Sequence, residues 1–324
     1  MKPKLVLSPQ AVRSPIILNF LEQNFTVTTI QQIEEIEQIP SIDVLWIHLD
    51  CRINLTDLLA HPEIKYVITT TTGITHISEL AIHYLGNKLI TLRHFQDQIS
   101  GITSTAELTL NFLFFSQLNI SQISKSVLEG NWDRLSFLRE LQLSSKSIGI
   151  VGLGRLGSIV AKCCHTLGMC VNFIEIDQEK ISHGIESGYL LKADAVQLLE
   201  SSDFVSLHAD VRNREKPLLT SLEFGRIVKP ITLINTARAE LVDENALIQA
   251  MRQGRVEMYL ADVLEIEARD QSLLESELWK YAQTVSNVFL TPHIGGASTD
   301  AMTKAENILC SELSRRLGIN YASR

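Results

Sequence analysis

Cysteine is scarce in this chain and poorly placed for crosslinking. The 324 residues hold five: Cys51, Cys163, Cys164, Cys170 and Cys310. The count is odd, no C-x-x-C occurs, and two of the five are adjacent. That pattern excludes a disulfide framework and a cysteine-based zinc site, and with no other ligand cluster in view no metal is expected. The cysteines read as small buried hydrophobes of a reducing compartment. Long apolar runs are missing too. The longest, residues 108–120, contains Asn111, Gln117 and Asn119, so it reads as a buried helix rather than a membrane span of ~18 apolar residues. The first eight residues have too short an apolar stretch for a signal peptide. Positive charge is also in deficit, with 29 Lys and Arg against 37 Asp and Glu, a net charge of −8. Nucleic acid and anionic membranes need a basic face and are not expected as partners. A small anionic substrate, which needs one or two local cations, is still permitted. With 45% hydrophobic and 20% charged residues, global disorder is excluded as well. A soluble cytoplasmic protein of about two domains is the expectation.

Short apolar runs alternate with helical patterns along the chain, as in an α/β fold with parallel sheets. Residues 4–7, 44–48, 66–69 and 88–92 read as strands, with helices at 15–24 and 54–60 between them. A long helical pattern covers 104–129, with Gly130 as its stop. Six further strands follow at 147–151, 170–176, 204–208, 232–235, 258–262 and 288–290. A final helix starts near Ser298 or Thr299 and runs to about Leu317.

The first chemical motif is Gly152-Leu153-Gly154-Arg155-Leu156-Gly157, between the strand 147–151 and a helix covering 158–166. In that setting Gly152 permits the tight turn and Gly154 the close approach of a pyrophosphate. Gly157 lets the helix pack on the strand, and the helix N-terminus offers N–H groups to phosphate. The next strand ends at Glu175, 18 residues after Gly157, the spacing of the carboxylate that holds the adenosine ribose. Asp177 is the alternative. No Lys or Arg follows until Lys180, so NAD is favoured over NADP. The motif lies near residue 152, after roughly 150 residues of another α/β unit, and only one helix follows the last strand. This points to two Rossmann-like or flavodoxin-like domains, with a nucleotide domain at 101–293 inserted into a discontinuous substrate domain of 1–100 plus 294–324.

Three polar residues stand just after late strands: Arg238, Glu267 and His293. Ligands bind at the carboxyl ends of strands in such sheets. A guanidinium there can hold a carboxylate by two parallel hydrogen bonds. An imidazole can exchange a proton with an alcohol or carbonyl, and a neighbouring carboxylate would fix its tautomer. Each also has a plain reading: Arg238 as a phosphate contact or surface charge, Glu267 as a solvated acid, His293 as a structural histidine.

Several stretches in order carry a family resemblance. They are Thr103-Ser104-Thr105-Ala106-Glu107, Gly130-Asn131-Trp132-Asp133-Arg134, Gly149 through Gly157, and Val205-Ser206-Leu207-His208. Ile234-Asn235-Thr236-Ala237-Arg238, Ala261-Asp262-Val263 and Thr291-Pro292-His293-Ile294-Gly295-Gly296 complete the set. The chain resembles the NAD-dependent D-2-hydroxyacid dehydrogenases, which include phosphoglycerate dehydrogenases and glyoxylate/hydroxypyruvate reductases. The resemblance implies reversible hydride transfer between NAD(H) and a small 2-hydroxy or 2-oxo acid. His293 would be the acid/base, Glu267 its partner and Arg238 the anchor of the carboxylate. Thr72 and Gly73 would meet the substrate, and Asp262, Thr236, Ala237 and Gly295 would line the nicotinamide side. Gly152, Gly154, Arg155, Leu156, Gly157, Glu175 and His208 would hold the rest of the cofactor. A homodimer is implied. The alternative is a non-catalytic NAD-binding regulator of the corepressor type.

The chain departs from the family pattern in places. Ala239 replaces a glycine, Asp210 and Ala268 replace prolines, and the segment from Glu267 to His293 is slightly long, which makes Glu265 a rival partner for His293. Thr69 stands where phosphoglycerate dehydrogenases tend to carry an arginine for the substrate phosphate, and Arg93 and His94 are candidate replacements. The regulatory C-terminal extension of longer phosphoglycerate dehydrogenases is not expected. A Tyr84-x-x-x-Lys88 spacing precedes the glycine motif and is set aside as a short-chain dehydrogenase signal.

Overall fold

Every strand pairs parallel to its neighbours, and the strands form two separate sheets. The computed structural model describes residues 2–49, 51–138, 141–211, 216–269 and 272–321. The chain divides into two units, Met1–Ile102 with Ala297–Arg324, and Thr103–Gly296. These divides fall two and three residues later than the sequence reading placed them. The local reason is visible. Ile102 packs against the core of the first unit, whereas the Ile294 and Gly295 N–H groups are bonded to Asp262 of the second.

The first unit contains β1 (Lys4–Leu7), β2 (Thr26–Thr29), β3 (Val44–Ile47), β4 (Tyr66–Thr69) and β5 (Leu89–Thr91), in the order β2-β1-β3-β4-β5. Period-two alternation decides which core each side chain joins. Val44 and Trp46 enter one core with Leu309 and Leu313 of the final helix, Thr299–Leu317. Leu45 and Ile47 enter the other, with Leu58 and Ala81. A strand buried on both faces reads as an unbroken apolar run, which is why β3 stands out in the sequence. β2, by contrast, escapes a sequence reading. It is an edge strand of sequence Thr-Val-Thr-Thr with three exposed residues, so burial imposes no pattern on it.

Glu306, 1% exposed on the final helix, ties the two ends of this unit together. Its carboxylate oxygens accept the Arg13 and Ser14 N–H groups, both at 2.9 Å, at the start of the helix Pro15–Asn24. Burial raises its pKa, opposed by those two N–H groups and the Arg13 charge. An acid whose folded pKa lies above its unfolded value binds protons more tightly when folded. Its contribution is therefore fullest below the unfolded pKa of about 4.3 and falls as pH rises through the folded one. In Glu306→Gln the amide NH₂ would face a backbone donor, at a cost of about 1–3 kcal/mol. Urea unfolding of both proteins should show the advantage of Glu306 over Gln shrinking between pH 4.5 and 7. An advantage that grows with pH contradicts this assignment.

The second unit contains β6 (Ser147–Val151), β7 (Cys170–Ile174), β8 (Leu190–Leu191), β9 (Phe204–Leu207), β10 (Ile231–Asn235), β11 (Val256–Ala261) and β12 (Val288–Leu290), in the order β12-β11-β10-β9-β6-β7-β8. Among the described residues the sheet thus has seven strands, not six. β8 is two exposed leucines at the edge and carries no periodicity. The single helix expected at 104–129 is two, Ser104–Gln117 and Ile120–Leu128. Leu118 leaves helical space at φ −146°, ψ 105°. The Asn119 side chain then starts a new helix by accepting the Gln122 N–H at 3.1 Å. Chain order runs from β6 outward to β7 and β8, then returns to β9 on the other side of β6. The reversal between β6 and β9 is a topological switch point, where such sheets open a crevice at their carboxyl edge.

Candidate active site

Because all seven strands are parallel, their carboxyl ends share one edge. Gly152 follows β6, Glu175 follows β7, His208 follows β9, Thr236 follows β10, Asp262 follows β11 and Thr291 follows β12. At the switch point, Gly152 has φ +90°, and a Cβ there would lie 3.1 Å from the His208 carbonyl oxygen. A Cβ on Gly157 would lie 2.0 Å from the Gly152 carbonyl oxygen, closer than atoms can approach. These two glycines are therefore required by the chain itself. Gly154 is not: its φ is −67°, and a Cβ there meets nothing within 4 Å. A glycine with no internal reason, at the cap of the helix Arg155–Thr166, fits a ligand that approaches the backbone from outside. The first intrahelical bond runs from the Ser158 N–H to the Gly154 carbonyl (2.9 Å). Helix geometry leaves the N–H groups of Leu156 and Gly157 ahead of it without intrahelical acceptors, as an anion site needs. The Arg155 guanidinium has its pKa lowered by burial, and Leu156 packs on the helix-side core.

Glu175 reaches back to this turn. One carboxylate oxygen accepts the Leu153 N–H (2.7 Å), and the other accepts the N–H groups of Ile176 (2.7 Å) and Asp177 (3.2 Å). A carboxylate has about four acceptor directions, so one is left for a hydroxyl. Asp177, the alternative from the sequence, has other work. It caps the helix Gln178–Glu186 by accepting the Glu179 N–H (3.0 Å) and pairs with Lys180 (3.2 Å). Lys180 thereby holds the Asp177 carboxyl below its usual range. These residues fit a dinucleotide whose ribose hydroxyls are unmodified. His208 Nε2 lies 2.9 Å from the Ser206 hydroxyl, and burial pushes this imidazole down to about 4. His208 is thus neutral at pH 7 and is a poor proton donor there.

The late loops hold the remaining residues. Asn235 staples the first: its side-chain oxygen accepts the Ala237 N–H (3.1 Å), and its amide donates to the Arg238 carbonyl (2.9 Å). Arg238 Nη1 donates to the Ala237 carbonyl at 2.6 Å. Among the described residues no carboxylate pairs with Arg238, and the parallel Nε/Nη2 edge of its fork stays available for an external anion. Thr236, 6% exposed, shares a 2.7 Å hydrogen bond with Thr109.

His293 sits in a strained turn. Its φ is +53°, unusual for a residue with a side chain, and its N–H donates to the Thr291 carbonyl (3.0 Å) around Pro292. Asp262, 1% exposed, holds the turn from both sides. One oxygen accepts the Thr291 hydroxyl (2.5 Å) and the Ile294 N–H (2.8 Å), and the other accepts the Gly295 N–H (2.7 Å). The nicotinamide contact expected of Asp262 is left with about one acceptor direction. A Cβ on Gly295 would lie 2.9 Å from that second oxygen.

Glu267 Oε2 is 2.5 Å from His293 Nδ1, and Glu267 Oε1 accepts the Leu264 N–H (2.9 Å). Glu265, the rival, begins the same short helix, Glu265–Arg269, with its N–H bonded to buried Glu244 (2.8 Å). With Nδ1–H given to Glu267, the proton-exchanging atom of His293 is Nε2. Asn235, Thr291, Ser206 and Glu244 hold this site and were given no role by the sequence reading. Thr291 and Glu244 act through partners 29 and 21 residues away, which spacing does not reveal, whereas Asn235 and Ser206 act through neighbours two or three residues on, in loops whose shape the strands set.

The other predicted substrate contacts lie in the first unit, in the loop after β4. The Thr72 carbonyl accepts Arg93 Nε (2.5 Å), and the Gly73 carbonyl accepts the Thr71 hydroxyl (2.5 Å). Thr69 is fully buried and bonded to Thr71 and His76.

Comparison with known proteins gives a family match, two similar relatives and a similar solved structure. The family described as D-isomer specific 2-hydroxyacid dehydrogenase, NAD binding domain, matches residues 111–295. The chain is 28% identical over 315 residues to D-3-phosphoglycerate dehydrogenase of Methanocaldococcus jannaschii, covering 97% of this chain but only 57% of that one. It is 25% identical to hydroxypyruvate reductase of Thermotoga maritima, over 94% of each chain. In fold, it resembles the D-lactate dehydrogenase of Aquifex aeolicus solved with NAD and lactic acid, at a TM-score of 0.80 and 19% identity over 97% of this chain and 96% of that one.

Proposed function

Since the chain belongs to the D-isomer specific 2-hydroxyacid dehydrogenase family, we propose that it interconverts a 2-oxo acid and its D-2-hydroxy acid with NAD(H). The observation that carries the reading is the His293–Glu267 pair at the same sheet edge as an Arg238 that has no counter-ion among the described residues. The dinucleotide, when bound, supplies the hydride to C2 in reduction and takes it back in oxidation. Gly152, Gly154, Arg155, Leu156 and Gly157 would hold its pyrophosphate, Glu175 its ribose, and His208, Thr236, Ala237, Asp262 and Gly295 its remaining edges. The Nε/Nη2 edge of Arg238 grips the substrate carboxylate. Protonated His293 gives its Nε2 proton to the oxygen as the carbonyl becomes an alcohol, and Glu267 steadies the ring through Nδ1. Holding the acid and the reacting carbon in fixed geometry removes most of the entropic barrier. No metal is needed, because Arg238 and the His293 proton neutralise the developing oxyanion. Thr72 and Gly73 are proposed as further substrate contacts on the resemblance alone.

A cytoplasmic location is supported by five free thiols, of which Cys51, Cys164 and Cys310 are buried. A homodimer is proposed on the family resemblance, and the exposed apolar side chains Leu128 (86%), Trp132 (89%), Leu135 (61%) and Leu138 (73%) are candidates for its contact. The relatives above are named as enzymes, which lends no support to the regulator reading.

The test is oxidation of NADH or NADPH with glyoxylate, hydroxypyruvate, pyruvate and phosphohydroxypyruvate. At least one should turn over to the D-hydroxy acid, with NADH preferred at least about tenfold, because the Glu175 carboxylate repels a 2′-phosphate. Tight NADH binding without turnover of any of the four acids would instead favour the regulator.

A further inference from the structure

The helix Ser104–Gln117 turns one face toward the interior of the second unit: Ala106, Thr109, Phe112 and Leu113 are buried. Thr109 is the polar member of that stripe and is 1% exposed. Its hydroxyl donates to the Thr105 carbonyl (2.9 Å), one turn earlier. A hydroxyl has one hydrogen, so in the 2.7 Å contact with Thr236 the donor must be Thr236. The direction of this chain is fixed: Thr236 gives to Thr109, and Thr109 gives to the helix backbone. Thr236 then retains only acceptor capacity toward any ligand. It stands two residues before Arg238, in the segment that Asn235 staples at Ala237 and at Arg238. The same helix face meets the second loop, because a Cβ on Gly295 would come within 3.1 Å of Thr105 Cγ2. Thr105 and Thr109 are four residues apart and therefore lie on one face.

We propose that Thr109 is a positioning residue: its hydroxyl receives the Thr236 hydroxyl and thereby sets the 236–238 segment in the register that aims Arg238 at the substrate carboxylate. The proposal rests on the reading of Arg238 given above. A merely structural Thr109 would tolerate valine, which has the same shape and suits an apolar stripe. A positioning Thr109 would not, because valine leaves the Thr236 hydroxyl buried without its acceptor.

The test compares Thr109→Val with Thr109→Ser. Steady-state kinetics with the best 2-oxo acid, NADH affinity by fluorescence, and amide hydrogen exchange across residues 236–241 are measured for each. Valine is expected to raise KM for the 2-oxo acid about tenfold, leave kcat and NADH affinity within about twofold, and speed exchange in 236–241. Serine is expected to match the parent protein. Valine matching the parent, or serine failing as badly as valine, overturns the proposal. If the parent protein binds NADH yet reduces no 2-oxo acid, the functional reading fails. Exchange then decides the clamp by itself: faster exchange in the valine variant alone supports it, and unchanged exchange overturns it.

Discussion

Replacing His293 with glutamine is expected to lower kcat for 2-oxo acid reduction by about 10²–10⁴-fold, the range a general acid contributes. NADH affinity should stay within about twofold. The argument rests on which atom does what. Nδ1 is committed to Glu267 at 2.5 Å, so only Nε2 is left to deliver a proton. A glutamine amide can still donate to Glu267 but has no proton to give at neutral pH. The turn itself should survive, because Asp262 holds it through Thr291, Ile294 and Gly295 rather than through the imidazole. The loss should therefore appear in kcat without a matching loss of stability or cofactor affinity. His208, whose imidazole is pushed down to about 4 by desolvation, is a poor proton donor at pH 7 and is not expected to replace His293. A His293→Gln protein with more than about a tenth of the parent kcat would remove this histidine from the chemistry.

What the sequence discloses follows where steric or burial rules act locally. Gly157 is legible because any side chain there strikes the Gly152 carbonyl, so the motif and its helix announce themselves. β3 and β10 are legible because both faces are covered and each strand becomes an apolar run. β2 and β8 are not, since edge strands with exposed side chains answer to pairing rather than to burial. The break at Leu118 was hidden within an apolar pattern that continues across it, and only the cap at Asn119 marks it. Glu265 and Glu267 could not be separated by spacing to His293, because the choice is made by the fold of the 264–267 turn. Asp262 shows the same limit differently. A motif gave it a ligand, while the structure gives it three donors from the His293 turn, so it also holds the shape of the site. The Thr109–Thr236 bond spans 127 residues, and no local pattern marks either partner.

Arg238→Gln is expected to cut kcat/KM for the 2-oxo acid by about 10³-fold while leaving NADH affinity within about twofold. Two charge-assisted hydrogen bonds to a carboxylate are worth about 1.5–3 kcal/mol each, and 1.4 kcal/mol is tenfold. The fork, not only the charge, carries this term. Arg238→Lys keeps a cation but cannot present two parallel N–H groups, so it should recover only part of the loss. Folding should be nearly indifferent. Arg238 makes no carboxylate pair among the described residues, and its Nη1 bond is to the adjacent Ala237 carbonyl. The loop keeps its Asn235 staple through the backbone of residue 238 whatever side chain stands there. The thermal midpoint should therefore move by only a few degrees, which corresponds to about 1 kcal/mol or less. The comparison is sharpest between a 2-oxo acid and its methyl ester, since the ester lacks the charge that Arg238 is proposed to hold. The parent protein should strongly prefer the acid, and Arg238→Gln should lose most of that preference. If the variant still prefers the acid as strongly as the parent does, the carboxylate is held elsewhere.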